Sequence, residues 1–321
     1  MADKPKVAIC WLGSCGGCDE TIVDINEKVL DVAKAIDFVF WPVAMDFKYH
    51  HIEAMKDGEI DLCIINGHVR NQEQKEVAEL LRKKSKLVLA FGACACFGGT
   101  PGLANFRDKE DIFDWVYRDC PTAVNPQGIY PQTSTSINGN ELTLPEFFGQ
   151  VYPLKEIIDV DYYLPGCPPP PNLVLNAITA VLENKLPPKG STLAHTNTLC
   201  QLCPRNESKP TSIDIKSIKR IHEVEADPNI CFLAQGIICF GPATRGGCGE
   251  SCIRVNMPCR GCFGPVDSIE DPGTKFISGL VSILDTENDD DIKRMIAEIA
   301  DPAGYLYRFT LPVSIINRKI S

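Results

Sequence analysis

Between Cys231 and Cys262 the chain reads CFLAQGIICFGPATRGGCGESCIRVNMPCRGC, six cysteines set among glycine, proline and small polar residues. Its apolar residues keep neither a 3.6-residue nor a 2-residue period. The segment therefore predicts no helix or strand able to bury itself, and an inorganic or covalent centre is expected to order it. Cys200-Gln-Leu-Cys203 stands just upstream and brings the count to eight thiols between positions 200 and 262.

The compartment decides how such thiols are read. The start, MADKPKVAICWLG, has no basic segment followed by a long apolar run and no twin arginine. No run approaches the roughly 20 apolar residues of a membrane span, so a cytoplasmic protein without an export signal is expected. In a reducing compartment, sixteen cysteines are metal ligands, reactive thiols or buried packing residues rather than a disulfide framework. The net charge of -10 argues against nucleic acid or an anionic membrane surface as the main partner. A length of 321 residues allows two domains, each with a core.

From Lys6 the pattern alternates between short apolar runs and helical segments. Strands are predicted at 6–12, 38–43, 61–65, 86–91 and 160–164, with helices at 19–35, 71–84 and 172–183. Strands without strict alternation, separated by helices, indicate a parallel sheet covered on both faces, so residues 1–186 are expected to form a doubly wound α/β domain. The insert at 97–158 carries a hairpin signal at Asn138-Gly139 and has the length of a partner surface. Leu186-Pro-Pro-Lys-Gly190 reads as a linker into a cysteine-rich domain, 187–321, whose tail regains helical pattern at 276–284 and 290–299.

Cys15 and Cys18 follow the first strand, Cys94 the fourth and Cys167 the fifth, all at carboxyl ends of parallel strands, where open α/β sheets bind ligands. Cys96, two residues beyond Cys94, is the competing ligand on that loop. Cys18 opens the first long helix, whose positive end favours thiolate, and helix-end electrostatics suffices to explain Glu20. The prolines at 168–171 leave the Cys167 side poor in amide donors, which would lower a cluster's potential or simply stiffen the turn. In the second domain the thiols divide into Cys200, Cys203, Cys231 and Cys239, and Cys248, Cys252, Cys259 and Cys262. Four-thiolate sets suit zinc or iron-sulfur alike. Cys10 and Cys63 read as buried packing residues, Cys120 has no visible partner, and His195 reads as a surface residue.

The ordered motifs GSCGGCDE, GACACFGG, PGCPPPP, CQLCPR, CFGPATRGGCGESC and MPCRGCFGP resemble the small subunit of [NiFe] hydrogenases. Within that family the chain looks like the gamma subunits of the deazaflavin-non-reducing, methyl-viologen-reducing branch from methanogenic archaea. The resemblance implies a flavodoxin-like first domain and a loop-rich iron-sulfur second domain. It implies Cys15, Cys18, Cys94 and Cys167 for a proximal cluster, Cys248, Cys252, Cys259 and Cys262 for a medial one, and Cys200, Cys203, Cys231 and Cys239 for a distal one. Exported members use a histidine where this chain has Cys200 and have only three medial cysteines, so three [4Fe-4S] clusters are expected. The large subunit's paired nickel-binding Cys-x-x-Cys motifs are missing, which implies no catalytic residue here. The implied partners are that large subunit, a ferredoxin-like [2Fe-2S] delta subunit and heterodisulfide reductase. The competing readings are a zinc-stabilised structural protein and a cluster subunit of a quinone-reductase-type complex, though the latter would carry adjacent cysteines.

Overall fold

The structure, a computed structural model, describes residues 4–317. Its strands are β1 (Lys6–Trp11), β2 (Asp37–Phe40), β3 (Ile60–Asn66), β4 (Val69–Asn71), β5 (Ser85–Phe91), β6 (Ser134–Ile137), β7 (Asn140–Thr143), β8 (Phe147–Tyr152) and β9 (Tyr162–Leu164). Five of them form one sheet in the order β2-β1-β3-β5-β9, with every pairing parallel. This is the flavodoxin-like order expected of a doubly wound sheet. Successive strand residues enter opposite cores. Ala8, Cys10, Cys63, Ile65, Val88 and Ala90 are buried on one face, and Val7, Ile9, Leu62, Ile64 and Leu89 on the other. Because neither face meets water, the strands read as continuous apolar runs.

The predicted helix over 19–35 is two helices, Gly17–Val23 and Lys28–Ala35. Asn26 between them sits at φ 57°, a left-handed conformation that asparagine tolerates better than most residues. The first helix is therefore short. Gln72–Lys84 forms as predicted, with the Asn71 side chain accepting from the Gln74 amide at 2.8 Å, a cap that contributes about 1 kcal/mol. Within the insert, β6 and β7 make the expected hairpin around Asn138 and Gly139, both at positive φ, and its strands are exposed throughout. The pairing of β8 back onto β4 has no counterpart in the sequence reading; Arg70 lies 4.7 Å from the Phe147 ring across it.

The stretch from Cys231 to Cys262 holds only two 3-10 turns and the helix Ser251–Arg254. It nevertheless buries Phe232, Ile237, Ile238, Phe240 and Ile253, which corrects the expectation that a bound centre alone would order it. Phe240 stacks on Phe276 of helix Pro272–Val281 at 4.2 Å, and Leu103 from the insert packs against the same core. Two buried arginines stand in for missing backbone ladders. Arg205 donates to the carbonyls of Asp227, Ile230 and Ile253 and lies 4.1 Å over Phe232; Arg245 donates to those of His195 and Pro265 and pairs with Asp267. Loop carbonyls buried without such donors would each cost about 1–3 kcal/mol. Among the described residues no helix is long and apolar enough to cross a membrane.

Candidate metal centres

Cys15, Cys18, Cys94 and Cys167 come together beyond the carboxyl ends of β1, β5 and β9. Burial pushes the Cys18 thiol well up, and Cys94, Cys167, Cys96 and Cys15 push it further. Cys94 is raised to about 12 by burial, then by Cys167 and Cys15. Cys167 is raised by burial and then by Cys15. Cys15 and Cys167 are exposed, so the set opens on the surface. Two glycines make room for its sulfurs: a Cβ at Gly92, φ +87°, would lie 2.3 Å from Cys18 Sγ, and one at Gly99, φ +62°, 2.5 Å from Cys94 Sγ.

Cys96 takes a different place. It is 1% exposed and its thiol donates to the Ala90 carbonyl at 3.4 Å. Beneath the set, Asp19 is buried and accepts from Trp41 Nε1 at 2.9 Å and Asn66 Nδ2 at 2.7 Å. Sequence reasoning passed over Asp19, whose two donors come from distant positions; its only local signal is a carboxylate next to Cys18.

Cys248, Cys252, Cys259 and Cys262 form a second group. Burial raises Cys262 to about 12, with Cys248, Cys167 and Cys252 adding to it. Cys259 is likewise raised to about 12 by burial, then by Cys262 and Cys248, against the lowering effect of the Gly261 amide. Cys200, Cys203, Cys231 and Cys239 line a single cavity with Leu199, Phe232 and Ile253. Lys209 Nζ stands 3.7 Å from Cys200 Sγ, a charged neighbour that the sequence reading did not single out.

The groups are adjoining. Cys167 stands close enough to Cys262 to push its thiol up, and the Cys259 amide donates to Cys239 Sγ at 3.3 Å. The set containing Cys248 thus lies between the other two. All sixteen cysteines are free. Cys10 and Cys63 are buried in strands, while Cys120 contacts the Thr122 hydroxyl at 3.2 Å and His195 accepts from the Asn197 amide at 3.2 Å.

Thiols raised by burial and by one another stay protonated until positive charge sits among them, which is the electrostatic condition of a metal-ligand set. The donor type, the glycine clearances and the shared cavity fit iron-sulfur centres. Among the described residues, no three His, Cys, Asp or Glu side chains are placed to hold a single ion.

Residues 15–181 match the family described as NADH ubiquinone oxidoreductase, 20 Kd subunit. The chain is 42% identical over 318 residues to the iron-sulfur subunit of the F420-non-reducing hydrogenase of Archaeoglobus profundus, covering 98% of each. It is 40% identical to the corresponding F420-non-reducing hydrogenase chain of Methanothermobacter thermautotrophicus, covering 100% of this chain and 98% of the relative. Among solved structures, a chain of the [NiFeSe] hydrogenase of Desulfovibrio vulgaris Hildenborough shares the fold with a TM-score of 0.53 at 18% identity, covering 84% of this chain and 96% of that one.

Proposed function

The chain belongs to the family of these F420-non-reducing hydrogenase iron-sulfur subunits, and we propose that its part in such an enzyme is to carry electrons away from a hydrogen-splitting centre held by a partner chain. The observation that carries this reading is the continuous row of thiol sets, in which Cys167 raises the Cys262 thiol and the Cys259 amide donates to Cys239. When bound, three [4Fe-4S] clusters would supply one-electron redox steps at those sets.

In this reading Cys15, Cys18, Cys94 and Cys167 hold the cluster facing the large subunit, where Cys15 and Cys167 reach the surface. Cys248, Cys252, Cys259 and Cys262 hold the middle one, and Cys200, Cys203, Cys231 and Cys239 the outer one. Phe232, Leu199 and Ile253 line the cavity of the outer set, and Lys209 places positive charge beside it. Residues 1–186 form the α/β unit and 187–321 the loop-rich unit. The outer set would pass electrons to a [2Fe-2S] delta subunit and on to heterodisulfide reductase. Sixteen free thiols suit a reducing compartment, and we place the protein in the cytoplasm.

Cys248→Ala tests the role of the row. In the assembled complex, reduction by hydrogen of an acceptor bound beyond the outer set should fall at least ~100-fold, beyond the 10–100-fold typical of losing a group behind a metal ligand. Hydrogen-isotope exchange at the partner's centre should persist. Unchanged acceptor reduction alongside loss of the middle cluster would contradict the relay.

A further inference from the structure

Behind the middle thiol set lies a cleft of about 270 Å³ with a charge pattern opposite to that of the chain. Lys219, Arg220, Arg260 and Arg308 all line it, in a protein of net charge -10. Among the described residues none of these four forms an ion pair. The one carboxylate lining the cleft, Asp301, turns Oδ1 to the Gly304 amide at 2.9 Å as a helix cap. Glu223 and Glu298, nearby in sequence and space, do not line it; they accept the backbone amides of Arg220 and Ile218.

The cleft is also shaped. Arg260 lies 3.9 Å over the Tyr305 ring, and the Tyr305 hydroxyl donates to the Ile238 carbonyl at 3.1 Å, which fixes the plane on which the guanidinium rests. Arg260 is half-buried, as is Arg308. Four like charges brought together with a single carboxylate among them repel one another, and partial burial strengthens that repulsion. A ligand with more than one negative charge and several acceptor oxygens relieves it, and arginine forks match phosphate oxygens two at a time.

We propose that this cleft binds a small phosphate-bearing anion, of the pyrophosphate or nucleotide-phosphate class. The site is independent of the electron-relay reading, since none of its four cations is a thiol ligand. Only Arg260, between Cys259 and Cys262, connects the two, so an occupant would place its charge beside the middle set.

The test is calorimetric titration of the intact complex, purified without oxygen, with inorganic phosphate, pyrophosphate and ADP. Pyrophosphate should bind saturably, and Lys219→Gln and Arg308→Gln should each weaken it by about tenfold or more, the loss of one charge-assisted hydrogen bond. Lys275→Gln, which lines a different cavity, should leave binding unchanged. ADP binding more tightly than pyrophosphate would identify a nucleotide as the natural form, and equal affinities a site reading phosphate alone. Absence of saturable binding, equal affinity in all variants, or binding of hexaglutamate but not pyrophosphate would overturn the proposal; the last would identify a docking surface for an acidic protein segment.

Discussion

Cys94→Ser, purified without oxygen with its partner chains and with their own metal subtracted, is expected to retain about eight iron and eight sulfide, while Cys96→Ser keeps about twelve of each, since each [4Fe-4S] cluster holds four. The two residues share a residue type and, where the sequence predicted a loop, the short helix Gly92–Phe97, and their surroundings separate them. Cys94 stands in the mutual field of Cys15, Cys18 and Cys167. Cys96 is buried, its thiol already donating to the Ala90 carbonyl. A serine at 96 can make the same donation, so that substitution changes little beyond one buried atom. A serine at 94 offers a harder, poorly ionised oxygen to a centre that prefers thiolate. Equal loss of iron from both variants would refute this assignment.

Gly92→Ala should remove the same cluster without touching a ligand. Gly92 holds φ at +87°, which costs an L-residue about 1–2 kcal/mol, and its new Cβ would stand 2.3 Å from Cys18 Sγ and 3.6 Å from the Gly166 carbonyl. Either the sulfur or the backbone linking β5 to the Cys94 helix must shift. Added to the backbone strain, overpacking brings the expected cost to about 2–5 kcal/mol. Gly58→Ala is the matched control: its φ is +69° with no atom within 4 Å, so it meets the backbone strain without displacing a thiol. Thermal unfolding and iron content of the two variants separate the effects. Full iron in Gly92→Ala, with a melting temperature equal to that of Gly58→Ala, would mean the close approach to Cys18 is unimportant.

Much of this site was legible because its parts are local. Each thiol sits in a motif a few residues long, and the strand ends that gather Cys15, Cys18, Cys94 and Cys167 follow from apolar runs alone. What escaped the sequence depends on residues far apart in it. Asp19 is a buried acceptor only because Trp41 and Asn66 arrive from other parts of the chain. Arg205 and Arg245 order loops whose carbonyls lie 20 to 50 residues away in the chain. The break at Asn26 escaped for another reason: the apolar period runs on through 25 and 29, and periodicity does not register a single left-handed residue. The apolar side chains of 231–262 show no period because they enter the core from turns, yet they are buried all the same.

The central claim is that twelve thiols in three adjoining sets hold iron-sulfur clusters, and the most direct test is iron, zinc and acid-labile sulfide per chain on protein purified without oxygen with its natural partners, with the partners' own metal subtracted. The predicted result is about twelve iron and twelve sulfide, as three [4Fe-4S] clusters require. About three zinc with no sulfide, as three structural four-cysteine sites would bind, would contradict it.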